Sequence, residues 1–414
     1  ETRSTRDALL HVLDTLLPVR DIVEGRVDQG VAPLWCDARG WTPFLLSLDT
    51  ATLTRCEEQG LLAGLAHHAH LDRAPPDLLA LAHRVADLTR LPTLETPARP
   101  PPARALRAVP SRKRLQLSAL LGAIGIMAER AARIVDVGAG RGHLTRIAAS
   151  VFDRDTLGLE REIDRVASAA TLAASPEFPS EARFLAFDAC REELAFLPDD
   201  LALGLHACGE VGDRLVLAAA TAGCDLALVS CCLQKIEATA RAPLSQAAKT
   251  AGFTLAKDSL GLTNLSSRAV GVETSLEATM DAREARHALA LLLRRRGVAL
   301  PPGEAMRGIN RRQAHRGFRA LADHALTLRR LAPLDETEHH SCAADAHADF
   351  ARARRLSLPR SLLARLTELA VVLDRAAALE ESGHAARVAV LFEAGVTPRN
   401  LALFASRAPE RLPR

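Results

Sequence analysis

With 414 residues, 48% of them hydrophobic, the chain can fill two or three domains of roughly 100–200 residues each. Lys and Arg number 53 against 50 Asp and Glu, so the formal charge of +3 is too small an excess to argue for nucleic acid, and only four of the basic residues are Lys. The eight Cys are scattered without a Cys-x-x-Cys pair, and no uncharged apolar run reaches about 18 residues. A small disulfide scaffold, a zinc knuckle and a membrane span are thereby excluded, and a soluble cytoplasmic protein with reduced thiols is expected.

Helical periodicity runs through residues 6–92, carried by Leu9, Leu10, Val12, Leu13 and Leu16, then Leu45, Leu46 and Leu48, then Leu78, Leu79, Leu81 and Val85. A helical N-terminal domain over 1–96 follows. Pro97, Pro100, Pro101 and Pro102 cannot continue a helix, so 97–110 reads as an extended linker. Between 111 and 280 short apolar runs alternate with helical segments, the pattern of βαβ units around a parallel sheet. Strands are predicted at Arg133–Val137, Asp155–Leu159, Arg183–Phe187, Leu201–Leu205 and Leu226–Ser230, with Phe253–Asp258 and Ala269–Thr274 as a closing antiparallel pair. Residues 281–414 read as a helical C-terminal region, Arg-rich in places, with a weakly patterned His-containing stretch at His339–Asp349.

The first of these strands runs directly into Asp136-Val-Gly138-Ala-Gly140-Arg-Gly142-His-Leu-Thr. Glycines at alternate positions let the backbone turn sharply and admit a bulky ligand where a Cβ would stand in the way. The following helix presents N–H groups and its positive dipole end to that ligand. A dinucleotide fingerprint needs its third glycine one place later, where His143 stands, so the spacing favours S-adenosylmethionine (SAM). Glu160, 18 residues beyond Gly142 at the end of the second strand, is placed to accept from two ribose hydroxyls. Asp188, after the third strand, suits an adenine amino group. Asp136 is expected to hydrogen-bond the turn or the amino acid end of SAM. The predicted cofactor site is therefore Asp136, Gly138, Gly140, Gly142, Glu160 and Asp188.

Ligands of open α/β sheets bind beyond the carboxyl ends of the strands, which puts Gly204-Leu-His206-Ala-Cys208-Gly-Glu and Val229-Ser-Cys231-Cys232-Leu-Gln-Lys235 on the acceptor side. The Asn- or Asp-Pro-Pro-aromatic sequence of N6-adenine methylation is absent. Two chemistries stay open. A thiolate among Cys208, Cys231 and Cys232 could add to a pyrimidine ring, or His206 could act as a base or orient a hydroxyl or amine. The same cysteines can also be read as small buried hydrophobes closing strand ends. His206, Cys208, Cys231 and Cys232, or alternatively His339, His340, Cys342 and His347, could be drawn together around a metal. Neither set has a familiar ligand spacing, and no metal is assigned.

These motifs resemble a group of methyltransferase-like proteins that includes the ribosomal-RNA-adenine-dimethylase-domain-containing protein and the glutathione S-transferase C-terminal-domain protein. The resemblance rests on Val135-Asp-Val-Gly-Ala-Gly-Arg-Gly-His-Leu, on the two strand-end segments above, on Leu373-Asp-Arg-Ala-Ala-Ala-Leu-Glu-Glu, on Thr397-Pro-Arg-Asn-Leu-Ala and on Gly40-Trp-Thr-Pro-Phe-Leu. His206-x-Cys208-Gly209 with Asp213, and the paired cysteines, are also similar to a more distant enzyme that methylates a ribose 2′-hydroxyl in the tRNA acceptor stem. The fold this implies is α/β, a seven-stranded class I SAM-methyltransferase (Rossmann-like) sheet flanked by helical regions. The activity it implies is methyl transfer, with tRNA or rRNA as the first expectation for the acceptor, ahead of protein or a small molecule. The competing expectation is a non-catalytic SAM-fold module that binds RNA or protein.

Overall fold

The computed structural model describes the chain except for residues 1–3, 28–29, 67–69, 96–98, 107–108, 175–181, 269–274, 301–302, 398 and 414. By internal contacts the chain divides into two compact units, each discontinuous in sequence. One takes Glu1–Glu24, Arg84–Ser267 and Leu363–Arg414, and the other takes Gly25–His83 and Arg268–Leu362.

The first unit is built on a seven-stranded sheet. Its strands are β1 (Arg133–Val137), β2 (Asp155–Glu160), β3 (Ala182–Ala186), β4 (Asp200–Ala207), β5 (Asp225–Ser230), β6 (Ala385–Val390) and β7 (Leu401–Ser406). They lie in the order β3-β2-β1-β4-β5-β7-β6. The first five pair in parallel, while β7 runs antiparallel to both β5 and β6. Parallel strands covered on both faces carry continuous apolar runs, as in Leu201-Ala-Leu-Gly-Leu205 and Leu226-Ala-Leu-Val229. β3, at the edge, is largely exposed. The chain order turns back between β1 and β4, so the carboxyl ends of these two strands border the crevice where such sheets take ligands. The helix His143–Phe152 starts at Gly142, whose φ of +70° is left-handed.

The five parallel strands form where periodicity placed them, but the closing pair does not. Phe253–Asp258 supplies only the two-residue strand Leu255–Ala256, which pairs with Ala240–Arg241 in a separate ribbon before the chain turns into the helix Lys257–Leu260. Ala269–Thr274 lies outside the described residues. The pair that closes the sheet comes from 385–406, a stretch expected to be helical. Ala-rich strands such as Ala385-Ala-Arg-Val-Ala-Val390 carry little intrinsic strand preference, and β5 supplies it by offering an unpaired apolar edge to a fully buried β7. The unit boundaries likewise cut across the four-part division drawn at 96, 110 and 280.

The second unit is helical among its described residues. Leu276–Arg295, Phe318–Leu328 and Glu336–Leu356 pack around Leu289, Leu292, Leu321, Ala325 and Cys342. Trp41, buried among the shorter helices, donates its indole N–H to Asp77 at 2.9 Å. Arg354 pairs with the buried Glu57 at 2.6 Å. Among the described residues no helix is long and apolar enough to cross a membrane.

Candidate functional site

The turn between β1 and the helix His143–Phe152 is pinned to the neighbouring strand. The N–H groups of Gly138 and Ala139 both donate to the Leu159 carbonyl, at 2.8 and 3.0 Å. Gly138, Gly140 and Gly142 all have left-handed φ, a conformation that costs other residues roughly 1–2 kcal/mol. Their surroundings differ. A Cβ on Gly138 or Gly140 would meet nothing within 4 Å, whereas one on Gly142 would come within 2.5 Å of the Phe184 ring. The first two glycines leave backbone open to a ligand, and the third lets the helix pack against β3.

Glu160 ends β2 and is nearly buried. One carboxylate oxygen accepts from Gly140 N–H at 2.8 Å, and the other accepts from Glu162 N–H at 3.0 Å. It therefore fixes the glycine turn and still has lone pairs for hydroxyl donors. Asp136 sits beneath the turn and accepts from Thr145 Oγ1 at 2.7 Å. Burial pushes its carboxyl up to about 6, although Thr145 and the Lys113 ammonium oppose that shift. Desolvation in turn lowers Lys113, and it holds His143 down at about 4.

Lys113, Asp136, Gly138, Ala139, Gly140, His143 and Leu205 are among the residues around a cavity of about 430 Å³ at the carboxyl ends of β1 and β4. Asp188 lies just beyond β3, where its carboxylate accepts from Cys190 N–H at 3.0 Å; it does not line that cavity. A backbone hydrogen bond from Phe187 to Glu160 ties the two segments together. Lys113 is the residue the sequence reading missed. Its signal was the rarity of Lys in an Arg-dominated chain and its position just past the proline-rich stretch.

His206 occupies the end of β4, where the register against β5 shifts between Leu205 and Ala207, and its φ of +68° is left-handed. A non-glycine residue held there marks a backbone whose surroundings over-determine it. Its Nε2 lies 3.1 Å from Oε1 of the buried Gln116, on the helix Ser111–Ala123. Burial, followed by the charges of Lys113, Arg112 and Arg399, lowers the imidazole to about 4, so it is neutral at physiological pH. Cys208 Sγ and Cys231 Sγ both approach the His206 carbonyl oxygen, at 3.2 and 3.4 Å, and the two cysteines are paired as a disulfide. Cys232 is half-buried beside them. The four residues expected on the acceptor side are thus brought together.

The alternative cluster behaves differently. His339, His340, Cys342 and His347 all lie on the helix Glu336–Leu356, but Cys342 is buried against Ala288 while His347 is exposed and pairs with Glu284.

Residues 113–239 match a family described as a methyltransferase domain. No similar sequence was found among the curated proteins. Solved structures that resemble the chain include a SAM-bound amino pentose methyltransferase from Micromonospora echinaspora, at 27% identity over 27% of this chain and 49% of that one, with a TM-score of 0.22. The chain thus spans about half the length of that structure. The magnesium protoporphyrin IX methyltransferase of Synechocystis, bound to S-adenosylhomocysteine, matches at 11% identity over 72% of this chain and 83% of that one, with a TM-score of 0.29. A coclaurine N-methyltransferase matches at 12% identity over 96% and 99%, with a TM-score of 0.28. The matched segment 113–239 holds β1 to β5 and the glycine turn, and the sheet it belongs to has the mostly parallel, Rossmann-like order of class I methyltransferases.

Proposed function

We propose that the chain is a SAM-dependent methyltransferase whose acceptor is anionic, with RNA as its first candidate. The observation that carries the SAM reading is the open backbone at Gly138 and Gly140, above a buried carboxylate and beside an ammonium group. Bound in this cavity, SAM would be held by Asp136 at its α-ammonium, Lys113 at its α-carboxylate and Glu160 at its ribose hydroxyls, with Asp188, outside the cavity lining, as the expected partner of the adenine amino group. Bound there, SAM supplies an electrophilic sulfonium methyl. The protein's contribution is then to hold an acceptor atom in line with it and to keep water away.

His206, Cys208, Cys231 and Cys232 border the acceptor side in this reading. An imidazole lowered to about 4 is a weak base, so His206 orients an acceptor through its hydrogen-bonding face and Gln116 fixes the ring. Arg112, exposed at the start of the helix that carries Gln116, adds positive charge near His206 and would suit a phosphate-bearing acceptor. Calorimetry on the full chain tests the cofactor: Gly140→Asp and Glu160→Ala are expected to lose SAM binding, and unaltered affinity in both would overturn the reading. Methyl-labelled SAM incubated with a lysate tests the acceptor. Label released by ribonuclease supports RNA, release by protease points to a protein, and resistance to both points to a small molecule or lipid.

A further inference from the structure

Methyl transfer by proximity has no need of three clustered thiols. Cys208 follows β4, Cys231 and Cys232 follow β5, and their sulfurs all lie within 4.8 Å of one another. A tetrahedral zinc ion with Zn–S bonds near 2.3 Å holds its sulfurs about 3.8 Å apart, so these thiols need only small side-chain adjustments to share one ion. The Cys208–Cys231 disulfide uses two of the three sulfurs and leaves Cys232 outside. A thiophilic cation would use them all.

The two cysteine-bearing turns are also held by a single side chain from another element. Arg375, fully buried on the helix Leu358–Glu381, donates to the Gly209 carbonyl at 2.8 Å and to Ser230 Oγ. Those residues adjoin Cys208 and Cys231 in sequence. Arg375 also pairs with Asp213 at 2.8 Å; Asp213 binds Arg241 at 2.9 Å, and Arg241 binds the buried Asp374 at 2.8 Å. A buried network of two cations and two anions costs several kcal/mol of desolvation per ion, and here it fixes the spacing of two loops whose common content is cysteine. Metal-binding thiols are positioned by such outer hydrogen bonds.

We propose that Cys208, Cys231 and Cys232, once reduced, form a trithiolate site for zinc or a similar thiophilic divalent cation, with the fourth coordination position left to a non-protein ligand. A dithiol reductant gives two electrons and two protons to the Cys208–Cys231 bond and becomes a disulfide itself. The cation then displaces one proton from each of the three thiols. Soft d¹⁰ cations prefer thiolates, and zinc sites with three protein ligands keep one position open. The site would stand whether or not SAM binds in the adjacent cavity.

The test uses the full chain, reduced and stripped of metal, titrated with cobalt(II) and then with zinc in competition with a chromogenic chelator. One equivalent per chain, with a thiolate-to-cobalt charge-transfer band displaced by zinc, is the expected result. Cys232→Ser, at a half-buried position, should weaken binding at least tenfold, whereas Cys190→Ser should leave it unchanged. Absence of the charge-transfer band, or equal affinity in wild type and Cys232→Ser, would overturn the proposal. SAM calorimetry on the same samples keeps this outcome separate from that of the cofactor reading.

Discussion

Asp136 and the three glycines make separable predictions at the scale of single residues. Asp136 carries a pKa of about 6, above its ordinary value near 4, because it is buried with Thr145 and Lys113 supplying only partial compensation and Glu160 repelling it. Folding favours its protonated form. Through this group alone the protein is therefore most stable below pH 4 and loses about 3 kcal/mol as the pH rises to about 6. Binding a cationic ligand over the carboxylate reverses the preference, so SAM affinity should rise about tenfold between pH 5 and pH 7.5. His143, held at about 4, stays neutral across that window. Calorimetry across the range checks this, and Asp136→Asn should flatten the profile. The glycines divide by what surrounds them. Gly142→Ala forces a methyl against Phe184 at a left-handed φ and should cost about 2–4 kcal/mol in urea unfolding. Gly140→Ala meets open space but keeps the left-handed strain, so it should cost only about 1–2 kcal/mol in unfolding, less than Gly142→Ala, while weakening SAM affinity.

At the scale of elements, the helix Leu358–Glu381 fastens the ends of β4 and β5 through Arg375. Arg375→Met would leave Asp213 and Asp374 sharing Arg241 as their one guanidinium in a buried network, with the Gly209 carbonyl deprived of the Arg375 donor, and should destabilise the protein by about 3–5 kcal/mol, measured by chemical denaturation. A loss under 1 kcal/mol would show that the network relaxes without it. The elements that local pattern could reveal were legible in the sequence. β1 to β5 and the glycine turn announce themselves through apolar runs and a spacing set by backbone geometry, and Glu160 by its distance from the turn. Other parts were not legible, because their roles depend on partners far away in the chain. Lys113 faces a carboxylate 23 residues away, Gln116 meets His206 across 90 residues, and Arg375 reaches Gly209 across 166. β6 and β7 become strands because β5 has a free edge, which Ala-rich segments do not reveal by themselves. The Leu373-Asp-Arg motif was visible as a resemblance, and the structure supplies the buried charge pairs that give it a physical role.

For the whole molecule, the sheet-bearing unit needs three separate stretches of chain. A fragment confined to 111–280 lacks β6, β7 and Arg375, and exposes the buried edge of β5. It should show no cooperative thermal transition and should aggregate, whereas the full chain unfolds cooperatively; a sharp transition in the fragment's circular dichroism would refute this. The N-terminus of the unit joins late as well, since the first helix, Thr5–Leu16, has its leading backbone N–H bound by Glu380 at 3.1 Å. Between Ser230, which ends β5, and Leu401, which begins β7, the ribosome must add 171 residues. At about 5–20 residues per second that takes roughly 10–30 s, during which a newly made β5 has no partner on one side. Nascent chains should therefore engage chaperones through the 225–230 segment, and stalling synthesis before residue 401 should trap a protease-sensitive, half-zipped sheet.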